Sequence, residues 1–240
     1  MITALLRSLL FECIRLPLTV IFSFVALLTF PFAPITRYRV ITLWSRLIIL
    51  FARLICGIRY RVIGSQNLPS EPSVILSKHQ SAWETLAYQQ IFPPQVWVLK
   101  RTLLRIPFFG WGLAMMNPIA IDRSDGMRAL RQTLEQGQQR IEDDWWIVVF
   151  PEGTRIRPGQ RGRYQVGGAW LAAQIGVKIV PVAHNAGTVW ARDAFIKYPG
   201  TITVSIGPAL DPTGRKPAQL MDEVENWIEQ EVKRLGSARH

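Results

Sequence analysis

The chain has 240 residues, 49% of them hydrophobic, with 28 Lys and Arg against 17 Asp and Glu and a formal net charge of +11. That length holds one fair-sized domain with an appendage and a substantial core, and the charge points to an anionic partner: anionic lipid, nucleic acid or a phosphorylated substrate. Cys13 and Cys56, with no CxxC and no Cys/His cluster, exclude a disulfide framework and a structural zinc site.

The first sixty residues are apolar. Leu16 to Thr36 gives 21 consecutive residues without a charge, between Arg15 and Arg37. A straight helix of that length reaches about 30 Å, the thickness of a bilayer core. Prolines shorten it: Pro17 suits a first helical turn, whereas Pro31 and Pro34 break or kink the far end. The clean stretch Leu18–Phe30 has 13 residues, or roughly 20 Å, which predicts a helix dipping into one leaflet. The next segment, "RVITLWSRLIILFARLICGI", is apolar except for Arg39, Arg46 and Arg53, seven residues apart. On a helix they form one stripe, drifting about 20° per step. Such a stripe suits a helix lying among anionic headgroups; the alternative is a helix packed on the domain with its arginines in water. No small-x-small cleavage site follows the apolar run, which argues against a secretory signal. Arginine on both sides of the run gives the positive-inside rule no reason to favour a crossing. Residues 1–58 are expected to form an apolar two-helix membrane anchor, and residues 59–240 an α/β domain.

Beyond residue 58, short β-rich runs alternate with helical stretches. Strands are predicted over Tyr60–Gly64, Ser73–Ser77, Gln95–Leu99, Pro118–Ile121, Trp145–Phe150, Lys178–Val182 and Thr201–Ile206. Helices are predicted over Ala82–Ile91, Gly126–Glu142, Gln165–Gln174 and Lys216–Leu235. This alternation indicates an α/β fold, a mostly parallel sheet flanked by helices. Functional groups in such sheets collect beyond the carboxyl ends of strands. His79, Arg123, and Glu152 with Arg155 each follow a predicted strand. The C-terminal helix, with Glu223, Glu225, Glu229 and Glu231, reads as a solvated amphipathic helix.

"FPEGTR", residues 150–155, taken alone reads equally well as a surface turn. Three further stretches accompany it. They are His79 with Glu84 five residues on, the basic and aromatic "LKRTLLRIPFFGWGLAMMNPIAIDRS" containing Lys100 and Arg123, and "IVPVAHN" with Pro181. Taken in chain order, with FPEGTR third, the four resemble the blocks of the 1-acylglycerol-3-phosphate acyltransferase family, over about residues 60–208. Two positions depart from that pattern. Glu84 stands where the family usually has Asp, which keeps the charge and adds about 1.5 Å of reach. Gln165 stands where a Lys often precedes the glycine pair, which weakens a phosphate contact there.

The resemblance implies acyl transfer from a thioester to an alcohol, with acyl-CoA or acyl carrier protein delivering the chain and no cofactor or metal. His79 is then the general base, a role for which imidazole is suited. Glu84 fixes its tautomer and stabilises the imidazolium. Positions five apart on a regular helix point about 140° away from each other, so His79 is expected in the turn before a helix and Glu84 in its first turns. No G-x-S-x-G elbow is present, which favours direct attack by the acceptor hydroxyl. Lysophosphatidate carries a phosphate, and the resemblance assigns it to Arg155 with Lys100 and Arg123 in support. Gly153 and Thr154 are expected to position substrate, Glu152 either to position the glycerol hydroxyls or to brace Arg155, and His184 reads as a structural loop histidine. The expected location is the cytoplasmic face of the inner membrane. Two other functions fit less well. One is a related acyltransferase for another lyso-lipid or glycerol 3-phosphate. The other is a non-catalytic membrane protein that binds anionic lipid. Nucleic-acid binding calls for a basic face with interleaved aromatics, which the sequence lacks.

Overall fold

The computed structural model describes residues 2–122 and 126–237. In chain order its elements are α1 (Ile2–Leu28), α2 (Pro34–Cys56), β1 (Ile58–Ile63), β2 (Val74–Ser77), α3 (Trp83–Ile91), β3 (Gln95–Lys100), α4 (Phe109–Ala114) and β4 (Ile119–Ile121). There follow α5 (Met127–Glu142), β5 (Trp146–Val149), α6 (Gly167–Ile175), β6 (Ile179–His184), β7 (Gly200–Ile206) and α7 (Pro217–Ser237). The seven predicted strands and four predicted helices are all present. The short α4 is an addition, formed where the sequence reads as glycine-broken aromatics.

The strands form one sheet in the order β1-β7-β6-β2-β5-β3-β4. β2 to β6 are parallel, while β7 runs antiparallel to β6 and carries β1 parallel to itself at the edge. All four residues of β2 are buried, as expected of a strand covered on both faces. Leu76 lies against Gly168 of α6, whereas the neighbouring Ser77 hydroxyl meets Tyr88 Oη of α3 at 2.7 Å. Successive strand residues face opposite ways, so α3 and α6 cover opposite faces. α5 and α7 flank α6, and α2, α1 and α4 extend the layer begun by α3.

The N-terminal segment departs from expectation. α1 starts at Ile2 and runs as one helix of 27 residues with Pro17 inside it, about 40 Å long. By length and composition it can cross a bilayer, so the argument that it is too short fails. Pro17 removes one backbone hydrogen bond. The helix continues through it because both halves are docked, by Ser8 and Phe11 before the proline and by Ser23 and Ala26 after it. Pro34 begins α2 and does not break a helix. α2 buries Tyr38, Ile41, Ile48, Ala52 and Cys56 and exposes Arg39, Arg46 and Arg53. The predicted arginine stripe is therefore real, and the opposite face packs on the domain.

The two helices share the core of the sheet domain: Phe11, Ile48 and Ala52 belong to the same buried cluster as the strands. A buried ion pair reinforces the docking of α1. Lys197 is 2% exposed, and its ammonium donates to Glu12 Oε1 at 2.8 Å and to the Phe195 carbonyl at 2.9 Å. Removing one partner of a buried pair costs about 3–5 kcal/mol because the other charge is left uncompensated. Lys197→Met is therefore expected to lower the thermal midpoint by roughly 10 °C, and Glu12→Leu added to it should restore most of the loss. Thermal unfolding in detergent followed by circular dichroism measures both. A single variant as stable as the parent would show that the pair does not hold α1.

Candidate active site

β2 ends at Ser77, and the next two residues turn in opposite directions: Lys78 is wholly buried and His79 reaches a cavity. The turn that follows is a capping box, Ser81-Ala82-Trp83-Glu84. The Ser81 hydroxyl accepts the Trp83 N–H at 3.1 Å, and Glu84 Oε1 reaches back to the Ser81 and Gln80 N–H groups at 2.7 and 2.8 Å. The same oxygen lies 2.9 Å from His79 Nδ1. The predicted loop-to-helix dyad is thus present, and Glu fits at position 84 because one oxygen serves the helix start and the imidazole together. The S-x-x-E pattern was a sequence signal for this local geometry.

Glu84 is fully buried. Burial pushes its carboxyl up, but the facing His184, the bond from His79 and the Ser81 N–H hold it below the ordinary range. An ionised Glu84 requires the proton of His79 on Nδ1, leaving the Nε2 lone pair free. Phe150 stacks on the imidazole, with centroids 4.0 Å apart and planes 14° from parallel. Behind the dyad, His184 accepts the Ala186 N–H on Nδ1 at 3.2 Å and donates from Nε2 to the Lys78 carbonyl at 2.9 Å. Burial lowers its pKa against the pull of Glu84, and its two hydrogen bonds hold the turn after β2, in keeping with its structural reading.

The "PEGTR" turn follows β5. Gly153 has φ +65°, a conformation costly for any residue with a Cβ. Glu152 departs from expectation. Its Oε1 takes the Lys78 ammonium at 2.7 Å and its Oε2 takes the His79 N–H at 3.0 Å. With both oxygens so engaged, it holds the His79 backbone, forms no ion pair with Arg155 among the described residues, and does not line the cavity described below. Burial raises its pKa against the pull of Lys78. Lys78 has a second partner, Glu229 Oε1 at 2.7 Å, which also accepts the Tyr164 hydroxyl at 2.8 Å. The expectation of a solvated Glu229 is corrected, since its carboxylate is partly buried against Lys78 and Tyr164.

His79, Lys100, Gly153, Thr154 and Arg155 line one cavity of about 460 Å³. Among the described residues, neither Lys100 nor Arg155 forms an ion pair. Arg123 lies outside the described residues. From these cations the cavity continues between Phe22 of α1, Ile41 and Trp44 of α2, Leu86 of α3 and Leu113 of α4. Arg192, absent from the sequence reading, lines it too and donates to the Arg155 carbonyl at 2.7 Å; no local pattern marks it.

A histidine held by a buried carboxylate and opening on an apolar cavity with basic groups is an arrangement able to deprotonate an alcohol beside an acyl chain. The chain belongs to the acyltransferase family, whose profile matches residues 59–185. It is 48% identical over 209 residues to a 1-acyl-sn-glycerol-3-phosphate acyltransferase of Pseudomonas aeruginosa, covering 84% of this chain and 81% of that protein. With the human 1-acyl-sn-glycerol-3-phosphate acyltransferase alpha it shares 34% over 143 residues, 59% of this chain and 50% of the human one. In fold it resembles the crystal structure of PlsC, the 1-acyl-sn-glycerophosphate acyltransferase of Thermotoga maritima. That match has a TM-score of 0.82 at 22% identity over 100% of this chain and 98% of the other.

Glu84→Gln keeps the shape and removes the charge that fixes the tautomer. It is expected to lower kcat by about 10³–10⁴-fold, whereas Glu84→Asp should keep a measurable fraction. Steady-state kinetics on variants whose fold is verified by circular dichroism make the comparison. Equal activity of the Gln variant and the parent would make Glu84 a helix cap only.

Proposed function

We propose that the protein transfers a fatty acyl chain from an acyl thioester to the 2-hydroxyl of 1-acylglycerol 3-phosphate, giving phosphatidate. The observation that carries this reading is the His79–Glu84 dyad at the junction of an apolar cavity and two cations, Lys100 and Arg155, that form no ion pair among the described residues; the Pseudomonas relative's name agrees with it. The acceptor hydroxyl attacks the thioester carbonyl carbon as His79 Nε2 takes its proton, a transfer worth about 10²–10⁴-fold. The imidazolium forms next to Glu84, so its charge is met by a carboxylate already in place. Collapse of the tetrahedral adduct breaks the C–S bond, and the thiolate leaves with the proton from His79. The atoms balance with no cofactor: the donor, acyl-CoA or acyl carrier protein, is a co-substrate.

Arg155 grips the phosphate, with Lys100 as a point charge and Arg123 assigned by resemblance. Gly153 and Thr154 line the path between dyad and cations and position the glycerol backbone. The acyl chain occupies the apolar part of the cavity.

The membrane reading rests on exposed apolar side chains. On α1 these include Leu6, Leu10, Ile21, Phe24 and Leu28, and on α2 Leu43, Leu50 and Leu54. With α1 and α2 docked on the domain, the pair holds the protein to one leaflet at the cytoplasmic face, where thioesters are made.

Purified protein offered a labelled acyl thioester and a panel of lyso-lipids and glycerol 3-phosphate should prefer lysophosphatidate. A different best acceptor would reassign it within the family, and no transfer to any would leave an anionic-lipid-binding role. Arg155→Lys, which loses bidentate contact, is expected to raise the KM for lysophosphatidate about tenfold with little change for the thioester. On sealed vesicles, single cysteines near residues 2 and 64, with Cys13 and Cys56 replaced, should both react with an impermeant thiol reagent from the same side. Reaction from opposite sides would mean a true crossing.

A further inference from the structure

Lys78 and Glu229 take no part in the reaction set out above, and neither lines the cavity. Lys78 is fully buried, one residue before the base. Its ammonium donates to Glu152 Oε1 and to Glu229 Oε1, both at 2.7 Å, and lies 5.9 Å from the centre of the Tyr164 ring. The Tyr164 hydroxyl donates to the same Glu229 oxygen at 2.8 Å. One ammonium thus faces two carboxylates inside the protein, an arrangement that desolvation makes costly. Apolar side chains of similar volume commonly hold a fold as well or better. α7 has such a face of its own: Leu220, Val224 and Ile228, a turn apart along the helix, are all fully buried.

What the charges supply is a link from α7 to His79. The Lys78 N–H donates to the Val182 carbonyl at 3.0 Å, and the Lys78 carbonyl accepts His184 Nε2 at 2.9 Å. The His79 carbonyl accepts the Ile156 N–H at 2.7 Å, and the His79 N–H donates to Glu152 Oε2 at 3.0 Å. All four backbone polar groups of these two residues are therefore held. Three of the partners are backbone groups or a ring itself bonded to the Ala186 N–H. The fourth, Glu152, is a flexible carboxylate aimed by the Lys78 ammonium. Glu229 fixes that ammonium from the other side. Precision matters here, because a shift of about 1 Å at a reacting group can cost about a hundredfold in rate.

We propose that Lys78 and Glu229 are positioning residues for His79. The Lys78 ammonium, clamped between Glu152 and Glu229, fixes the carboxylate that holds the His79 backbone and so makes α7 part of the catalytic apparatus. This inference rests on the reading of His79 as the base. Glu229 lies beyond residues 59–185, the stretch that the family profile matches.

Purified full-length protein in detergent, given labelled acyl thioester and lysophosphatidate, allows turnover to be separated from stability. Glu229→Leu leaves one ammonium facing one carboxylate, and it should lower kcat about tenfold while the KM for each substrate stays within about twofold. Lys78→Met strands two buried carboxylates and should lower both kcat and the thermal midpoint. The triple variant Lys78→Met/Glu152→Gln/Glu229→Leu removes every charge of the cluster. Its thermal midpoint should recover most of the loss, while its kcat stays at least about tenfold below the parent. Where a single variant fails to fold, the kcat of the triple variant decides. Parental kcat in Glu229→Leu or Lys78→Met, or a triple variant that regains kcat together with stability, would make the cluster structural and overturn the positioning role. A loss found wholly in KM would overturn it too. His79→Ala distinguishes this from failure of the underlying reading: an active parent and an inactive His79→Ala uphold the base whatever the cluster variants do. A parent without turnover, or His79→Ala with parental turnover, would overturn the base and the positioning role together.

Discussion

A lysine ammonium with no access to water must find counter-charge within the protein, and much of this active site is arranged around that need. Lys78 immediately precedes His79, and its ammonium meets Glu152 from the loop after β5 and Glu229 from α7. Satisfying the charge fixes the relative positions of three segments distant in sequence. Glu152, once committed to Lys78, has one oxygen left, and that oxygen takes the His79 N–H. The His79 backbone is therefore held by a carboxylate that does not itself line the cavity. Packing around the cluster is correspondingly tight: a Cβ at residue 162 would lie 2.7 Å from Glu152 Oε1, so glycine is required there.

The dyad depends on this support from below and on the capping box from the side. Glu84 Oε1 receives three donors, two from the helix start and one from the imidazole. A helix N-terminus already favours negative charge, so the carboxylate that orients His79 is stabilised by the backbone of its own helix. Secondary structure and catalytic geometry are the same set of contacts here.

The sheet was legible in the sequence because β-rich runs and amphipathic helices have different periods, and the α/β alternation fixes topology class before any contact is known. The pairing of His79 with Glu84 came from the resemblance of the four blocks, and their spacing then called for the turn before α3 in which His79 lies. Glu229 was not: it pairs with a residue 151 positions away, and its neighbours Glu223, Glu225 and Glu231 gave it the look of a solvated face. The partners of Glu152 were not legible, because Lys78 and the His79 N–H lie more than seventy positions away in sequence. The start of α1 was missed because Pro17 reads as a boundary in isolation, and only tertiary docking of both flanks carries the helix through it. Arg123 falls outside the described residues.

Thr19, Phe22 and Ser23 of α1, together with Ile41 and Trp44 of α2, form part of the cavity wall. The N-terminal helices are thus not a leash that ties a self-sufficient catalyst to its surface. A chain trimmed to the matched family region would lose one side of its own acyl compartment and leave strand-facing apolar groups open to water. Exchanging these helices for another tether would change the shape of the cavity beside His79. One pair of helices thus carries the exposed apolar surface and also walls the cavity.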